Sequence, residues 1–404
     1  MIVKNQKQIG IEAVALILIV YGNMCFYKLD TQFIYILMNA IAGILVILKH
    51  IHRRIAITKT VMWITAVFLI FISYGVLFLR TGMFNADRFV IAYYQCILYY
   101  IIFKSIIRQP EYEKRIAVAF AITSSLCILT MYINEGDFLG RELRSVGSTM
   151  SGNVNTVGMG LGIMSMFLMF YYGKARKPII LILALAVMAV MMLTGSKKTV
   201  VYIIANIFIL YSFSKNKTNG KVVLIILASI LAYVIFGVDY FYNMLGSRII
   251  DMLGQFGIHL SNAHYSHSTE ARIFMIKEGF EFWLRNPIFG GGTNYFQANT
   301  ITLYEYSHCN VTELLCSFGL FGFIIYYLPY ITFYKHFKSI KNTDYHLAYF
   351  CLIIIVVSLV IDWMAITFSS FSTVYIPVIF TLVVREWVKE QEAIGILSPI
   401  DYGV

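Results

Sequence analysis

Apolar stretches of roughly 20 residues recur along almost the whole chain, and no other feature restricts the fold as strongly. Lipid offers the backbone no hydrogen-bond partners, so a segment of that length and polarity crosses a bilayer as a helix. Such segments run at 9–27, 33–48, 61–79, 89–107, 116–133, 154–172, 178–194, 199–213, 221–238, 310–333, 346–362 and 366–384. They predict an all-α, polytopic transmembrane helix bundle of about 12 spans, with 1–404 as one integral membrane domain. Composition agrees, with 59% hydrophobic and 13% charged residues. Soluble domains carry about 25% charged residues. No small-residue cleavage site follows the first apolar stretch, which therefore reads as a retained span.

The net charge of +11 is explained by topology rather than by nucleic acid. With the N-terminus inside, every inner connection is basic: Lys4 and Lys7; Lys49, Arg53, Arg54 and Lys59; Lys104, Arg108, Lys114 and Arg115; Lys174, Arg176 and Lys177; Lys215, Lys217 and Lys221; Lys335, Lys338 and Lys341; Arg385 and Lys389. These hold 21 of the 32 basic residues. The positive-inside bias then predicts a multi-pass plasma or inner membrane protein with both termini cytoplasmic.

The remaining cations face outward, against that bias, and need another cause. Lys197, Lys198, Arg248, Arg272, Lys277 and Arg285 flank the outer ends of spans or lie in the long outer segment 239–309. Guanidinium forks and ammonium groups bind phosphate oxygens. Solvated loop charges are the plainer alternative. Within 239–309, apolar residues from Ile273 to Leu284 recur at helical spacing, predicting an interfacial helix ended by Asn286-Pro287 and a glycine run. The turn LTGSKKTV (193–200) precedes another helix, and its Gly195 and Ser196 amides are expected to be free for an anion. Asn155 opens the sixth span in SGNVNTVG, as a helix cap or as a donor to sugar hydroxyls.

The stretch YSHCNVTELLCSFGLFG (306–322) sets polar residues at the mouth of a membrane helix. Asn310, Glu313 and Ser317 share one face by helical spacing, and His308 stands at the entrance. A histidine there is suited to general-base work near neutral pH. A helix cap beside an interfacial histidine would give the same pattern. The six cysteines show no CxxC spacing and read as small apolar residues. His259, His264 and His267 have no cysteines or paired carboxylates beside them, so neither a metal nor a cofactor is expected.

The sequence EARIFMIKEGFEFWLRNPIFGGGTNYF followed by SHCNVTELLCSFGLFGFIIYY resembles the signature region of the O-antigen polymerase and O-antigen ligase family, the Wzy-type polymerases and their ligase relatives. The matching positions are Arg272, Asn286 to Gly290, His308, Glu313, and Gly319 to Gly322. The chain departs at Cys309, where the family usually has an asparagine; here Asn310 follows one later. It also has Lys197 and Lys198 where an arginine is common.

The resemblance implies a metal-independent, inverting membrane glycosyltransferase of the GT-C type. It would polymerise repeat units for O-antigen, capsule or exopolysaccharide in the cell envelope. Its substrate would be an undecaprenyl-diphosphate-linked oligosaccharide presented at the outer face, with a chain-length regulator and a flippase as further partners. His308 and Glu313 would be catalytic. Arg272, Arg248, Lys197, Lys198, Asn155 and Asn310 would bind substrate. A ligase with a different acceptor shares this chemistry. A lipid-oligosaccharide flippase is the rival of another class, but it should carry ionisable residues at mid-membrane and paired repeats. The span centres here are almost uncharged, with Asp362 at a span end and Glu12 near the start of the first.

Overall fold

A computed structural model describes residues 10–26, 31–51, 57–78, 86–136, 146–150, 154–214, 217–247, 249–250, 253, 267–301, 306–368 and 372–394. Among them all regular structure is helical. The helices are α1 (Ile11–Cys25), α2 (Gln32–His50), α3 (Lys59–Leu77), α4 (Ala86–Ile107), α5 (Tyr112–Glu135), α6 (Val154–Ala175), α7 (Pro178–Leu193), α8 (Lys197–Ser212), α9 (Lys217–Gly237), α10 (His267–Arg285), α11 (Tyr295–Asn299), α12 (Asn310–Thr343), α13 (Tyr345–Met364) and α14 (Ile376–Ala393). Seven are long and apolar enough to cross a membrane: α2, α3, α4 over Phe89–Ile107, α5, α6, α12 and α13. α1, α7 and the Ala228–Gly237 part of α9 are shorter and apolar. The protein is thus an all-α, multi-pass membrane protein.

A helix occupies each of the twelve expected places, with one displacement. The last apolar segment is expected at 366–384, but its helix runs Ile376–Ala393. Before it the chain leaves α13 in extended form at Ala365 and makes a 3-10 turn at Ser372–Tyr375. Hydropathy is blind to this because Ala365, Thr367 and Phe368 are buried although they are not helical.

α6 is the hub, packing against α1, α5, α7 and α8. Its glycines bring neighbours in close: a methyl at Gly162 would lie 2.4 Å from the Tyr202 ring of α8, and one at Gly160 2.2 Å from Met24 of α1. Lipid provides no hydrophobic drive between helices, so such close van der Waals packing carries the association. Phe167 of α6 anchors an aromatic cluster with Phe120, Phe350 and Phe380 at centroid distances of 4.9, 5.1 and 5.0 Å.

Ion pairs gather at one end of the bundle. Lys49 pairs with Glu12, Lys104 with Glu386, Arg108 with Glu390, and Lys174 with both Glu113 and Asp344. These pairs join the connections that the charge count assigns to a common side.

α12 is interrupted twice, and each time a neighbour takes over the freed backbone group. Pro329 has no N–H for the Ile325 carbonyl, which accepts instead from Trp63 Nε1 of α3 at 2.8 Å. At Gly319 the helix breaks (φ 63°, ψ −166°) and the segment 287–292 plugs the gap. Gly291 and Gly292 amides donate to the Cys316 and Ser317 carbonyls at 2.8 and 3.0 Å. In return, Leu320 and Phe321 amides donate to Pro287 and Ile288 carbonyls at 2.9 and 3.0 Å. The asparagine-proline-glycine run and the glycines of α12 are therefore two halves of one joint.

Candidate functional site

At the end of the bundle opposite the ion pairs, four pieces of chain meet: the start of α6, the hairpin before α8, α10, and residues 306–309 leading into α12. α10 lies along the first part of α12, where the Cys316 thiol donates to the Gly279 carbonyl at 2.8 Å. Met275 and Phe282 of α10 pack with Phe296 of α11 and Cys316 of α12. Glu278 ties down the segment after α11, accepting from Thr300 Oγ1 at 2.7 Å. α10 is therefore a docked element that holds Arg272 at a fixed place. The helix expected around Ile273 to Leu284 and ended by Asn286-Pro287 is present as His267–Arg285.

His308 is half-buried and has a left-handed backbone, φ 57°. A bulky residue at positive φ is uncommon and must be held there by its surroundings. Glu313 provides the hold. Its Oε2 accepts from the Ser307 amide at 2.9 Å, and its own amide donates to the Cys309 carbonyl at 3.0 Å. Ser307 Oγ donates to the Cys309 carbonyl at 3.0 Å, and Thr312 Oγ1 donates to Ser307 Oγ at 2.9 Å. Glu313 is thus a positioning residue for the turn that carries His308. The imidazole packs edge-on against Tyr306, centroids 4.4 Å apart.

Burial, then the charges of Arg272 and Lys198, push the His308 imidazole from 6.5 down to about 4. Lys198 also lies in the field of Arg272. Three groups far apart in sequence thus share one positive neighbourhood with a neutral imidazole in it. Lys198 makes no ion pair with a carboxylate among the described residues. Such a patch attracts an anion and leaves the imidazole able to accept a proton at neutral pH.

The other expected positions fare differently. Asn155 accepts from Ser196 Oγ at 2.8 Å, which ties the start of α6 to the α8 hairpin. Lys197 sits beside Lys198 in the first turn of α8, half-buried. The hairpin amides expected to be free are in use: Gly195 donates to the Met192 carbonyl at 2.9 Å and Ser196 to Thr194 Oγ1 at 3.4 Å. The tight turn that brings the two helices together needs those bonds for itself. Arg248, His259 and His264 lie outside the described residues.

Asn310 is fully buried and turns away from the patch. Its amide donates to Tyr327 OH at 3.2 Å and accepts from the Thr367 and Phe368 amides at 2.9 and 3.0 Å. It staples α12 to the extended segment after α13. Tyr327 OH donates in turn to Asp362 at 2.8 Å, and Thr367 Oγ1 donates to the same carboxylate. Asp362, Tyr202, Tyr326, Tyr330 and Ser358 line a cavity of about 20 Å3 beneath the site. From the sequence Asp362 is only a polar residue at a span end; its link through Tyr327 to Asn310 spans 35 and 17 positions and has no local signal. Among the described residues no group of His, Cys, Asp and Glu has a metal-binding arrangement.

Residues 181–327 match the model of a family described as O-antigen ligase. The matched stretch contains Lys197, Lys198, Arg272, His308, Glu313 and the whole Gly319 joint. Over these residues the chain is similar to that family. No curated protein matches the chain.

Proposed function

We propose that the protein is a repeat-unit polymerase that moves a glycan from undecaprenyl diphosphate onto an incoming lipid-linked oligosaccharide at the outer face of the membrane. The observation that carries this reading is the convergence of Arg272 and Lys198 on His308. A glycosyl diphosphate donor needs its leaving group's charge neutralised and an acceptor hydroxyl deprotonated beside it. Arg272 and Lys198, with Lys197 adjacent, would take the diphosphate. The acceptor oxygen attacks the anomeric carbon, the bond from that carbon to phosphate oxygen breaks with its electron pair, and the hydroxyl proton passes to His308. One displacement inverts the anomeric centre.

Order of binding is built into the electrostatics. In the empty site burial, together with the two cations, holds His308 near 4. A bound diphosphate offsets them and raises the imidazole, so the base strengthens when the donor is in place. No step needs a metal. The helix ends at the site belong to the outer leaflet side, with the ion-paired end and both termini cytoplasmic. A chain-length regulator and a flippase would act with it, and the glycan would be capsule, exopolysaccharide or O-antigen.

The family description over 181–327 favours one second reading, a ligase that delivers the glycan to a different acceptor. Deleting the gene separates the two. Loss of a polymerase leaves single repeats, whereas loss of a ligase accumulates lipid-linked polymer. For the site itself, His308→Ala and Arg272→Ala should each abolish polymer formation while the protein still reaches the membrane; long chains of normal length from both would refute the assignment. Purified protein with lipid-linked repeat should elongate it, and translocation without elongation would support a flippase instead.

A further inference from the structure

The ion-paired end of the bundle contains one corner unlike the rest. α3, α12 and α14 meet there. Several lysines and arginines elsewhere on this end pair with carboxylates, as in Lys49–Glu12 and Lys174–Asp344. In the corner, Lys59 opens α3, Lys335 and His336 lie on α12, and Arg385 and Lys389 on α14. The charges of Lys389, Arg385, Lys335 and Lys59 all act on His336, and those of Arg385 and Lys59 act on Lys389, where Glu392 and Glu386 offset them in part.

Carboxylates are near but committed. Glu386 accepts from the Thr60 amide at 3.2 Å, from Tyr100 OH at 3.0 Å and from Lys104 at 3.3 Å. Glu392 accepts from Ser339 Oγ. Arg385 is half-buried, yet among the described residues it makes no hydrogen bond or ion pair. The Glu386 charge acts on Arg385 from nearby, but a partly desolvated guanidinium with no hydrogen bond or ion pair is costly, and an anion supplied from outside reduces the cost.

The position says what kind of anion. One helical turn from Lys59 and Lys335, towards the middle of the bundle, Met62 and Ile331 are 60% and 53% exposed on the lipid-facing surface. A ligand with phosphate at the corner and acyl chains along these side chains fits both features.

We propose that this corner is a binding site for the headgroup phosphate of an anionic phospholipid. Arg385 grips the phosphate oxygens, and Lys59 and Lys389 neutralise the remaining charge. The site is separate from the outer patch and does not depend on the glycosyl-transfer reading.

The test uses full-length protein in nanodiscs of phosphatidylcholine with or without phosphatidylglycerol, read by native mass spectrometry and thermal melting. Wild type should carry phosphatidylglycerol adducts and melt higher when that lipid is present. The double variant R385Q/K389Q should lose the adducts by about tenfold or more, and the melting difference with them. Lys389→Gln alone, at an exposed position, should give a partial loss and decides the matter if the double variant does not fold. Equal retention of the two lipids by wild type, or unchanged adducts in the variants, overturns the proposal. A third arm adds inorganic phosphate to phosphatidylcholine discs; full stabilisation there would mean a soluble anion is the ligand and would overturn the lipid assignment.

Discussion

Gly319→Ala is the sharpest probe of how the site is held. At φ 63° and ψ −166° Gly319 occupies backbone space that an alanine enters at a cost of about 1–3 kcal/mol. Strain is the smaller part. The added methyl would sit 2.3 Å from the Ile288 carbonyl oxygen and 2.5 Å from the Gly290 nitrogen, both backbone atoms. Neither can rotate away, so segment 287–292 must leave the break in α12. That breaks the four backbone hydrogen bonds of the joint, each with a net value of about 1 kcal/mol. Their loss, roughly 4 kcal/mol, shifts the docking equilibrium by nearly a thousandfold. Residues 310–318 would then come loose from α10, and His308 from Arg272.

Gly136→Ala is the matched control. Gly136 also has positive φ, 72°, but a methyl there meets nothing within 4 Å. It carries the strain without the clash. Hydrogen exchange on peptides spanning 287–292 and 320–322, in nanodiscs, reads the joint directly. Gly319→Ala should lose amide protection there by two to three orders of magnitude, and polymer should vanish. Gly136→Ala should leave both unchanged. Wild-type protection in Gly319→Ala, or equal effects of the two variants, would refute the docking argument.

Other expectations follow from the same geometry. Lys198→Gln removes one of the charges that depress His308, so the imidazole should titrate above 4, as followed by histidine NMR; an unmoved or lower value would exclude Lys198 from the site. Because His308 titrates lower when folded than its ordinary 6.5, the unfolded chain binds the extra proton first. Its contribution is therefore complete above about 6.5 and is lost as pH falls from there through about 4, and His308→Gln should flatten the melting temperature across that window. Glu313→Ala leaves the Ser307 amide without its acceptor, at about 1–3 kcal/mol. It should lower kcat more than donor affinity, and Glu313→Gln, which still offers an oxygen to that amide, should restore much of the rate. Asn310→Ala should lower the melting temperature while donor binding persists, because its bonds go to Tyr327, Thr367 and Phe368 rather than to the outer patch.

The sequence by itself determined everything that depends on neighbours along the chain. Segment length and apolarity located all the helices but the last to within several residues at their starts, because a bilayer demands a self-satisfied backbone of set length. Charge bias sorted the connections that the ion pairs bring to one end. Helical spacing plus Asn286-Pro287 bounded α10, and the residues around His308 pointed to the mouth of α12. Tertiary structure decided what each polar group faces. Asn310 and Glu313 share a helix face, yet one staples α12 to the segment after α13 and the other holds the His308 turn. The start of α14 at Ile376 and the role of Asp362 rest on burial of non-helical backbone and on bonds between distant spans, neither of which leaves a periodic mark. The glycine run at 290–292 and the glycine at 319 each read as an ordinary turn or a packing surface. Only the fold makes them one joint, because the close approach that forbids a methyl lies between backbone segments some thirty residues apart.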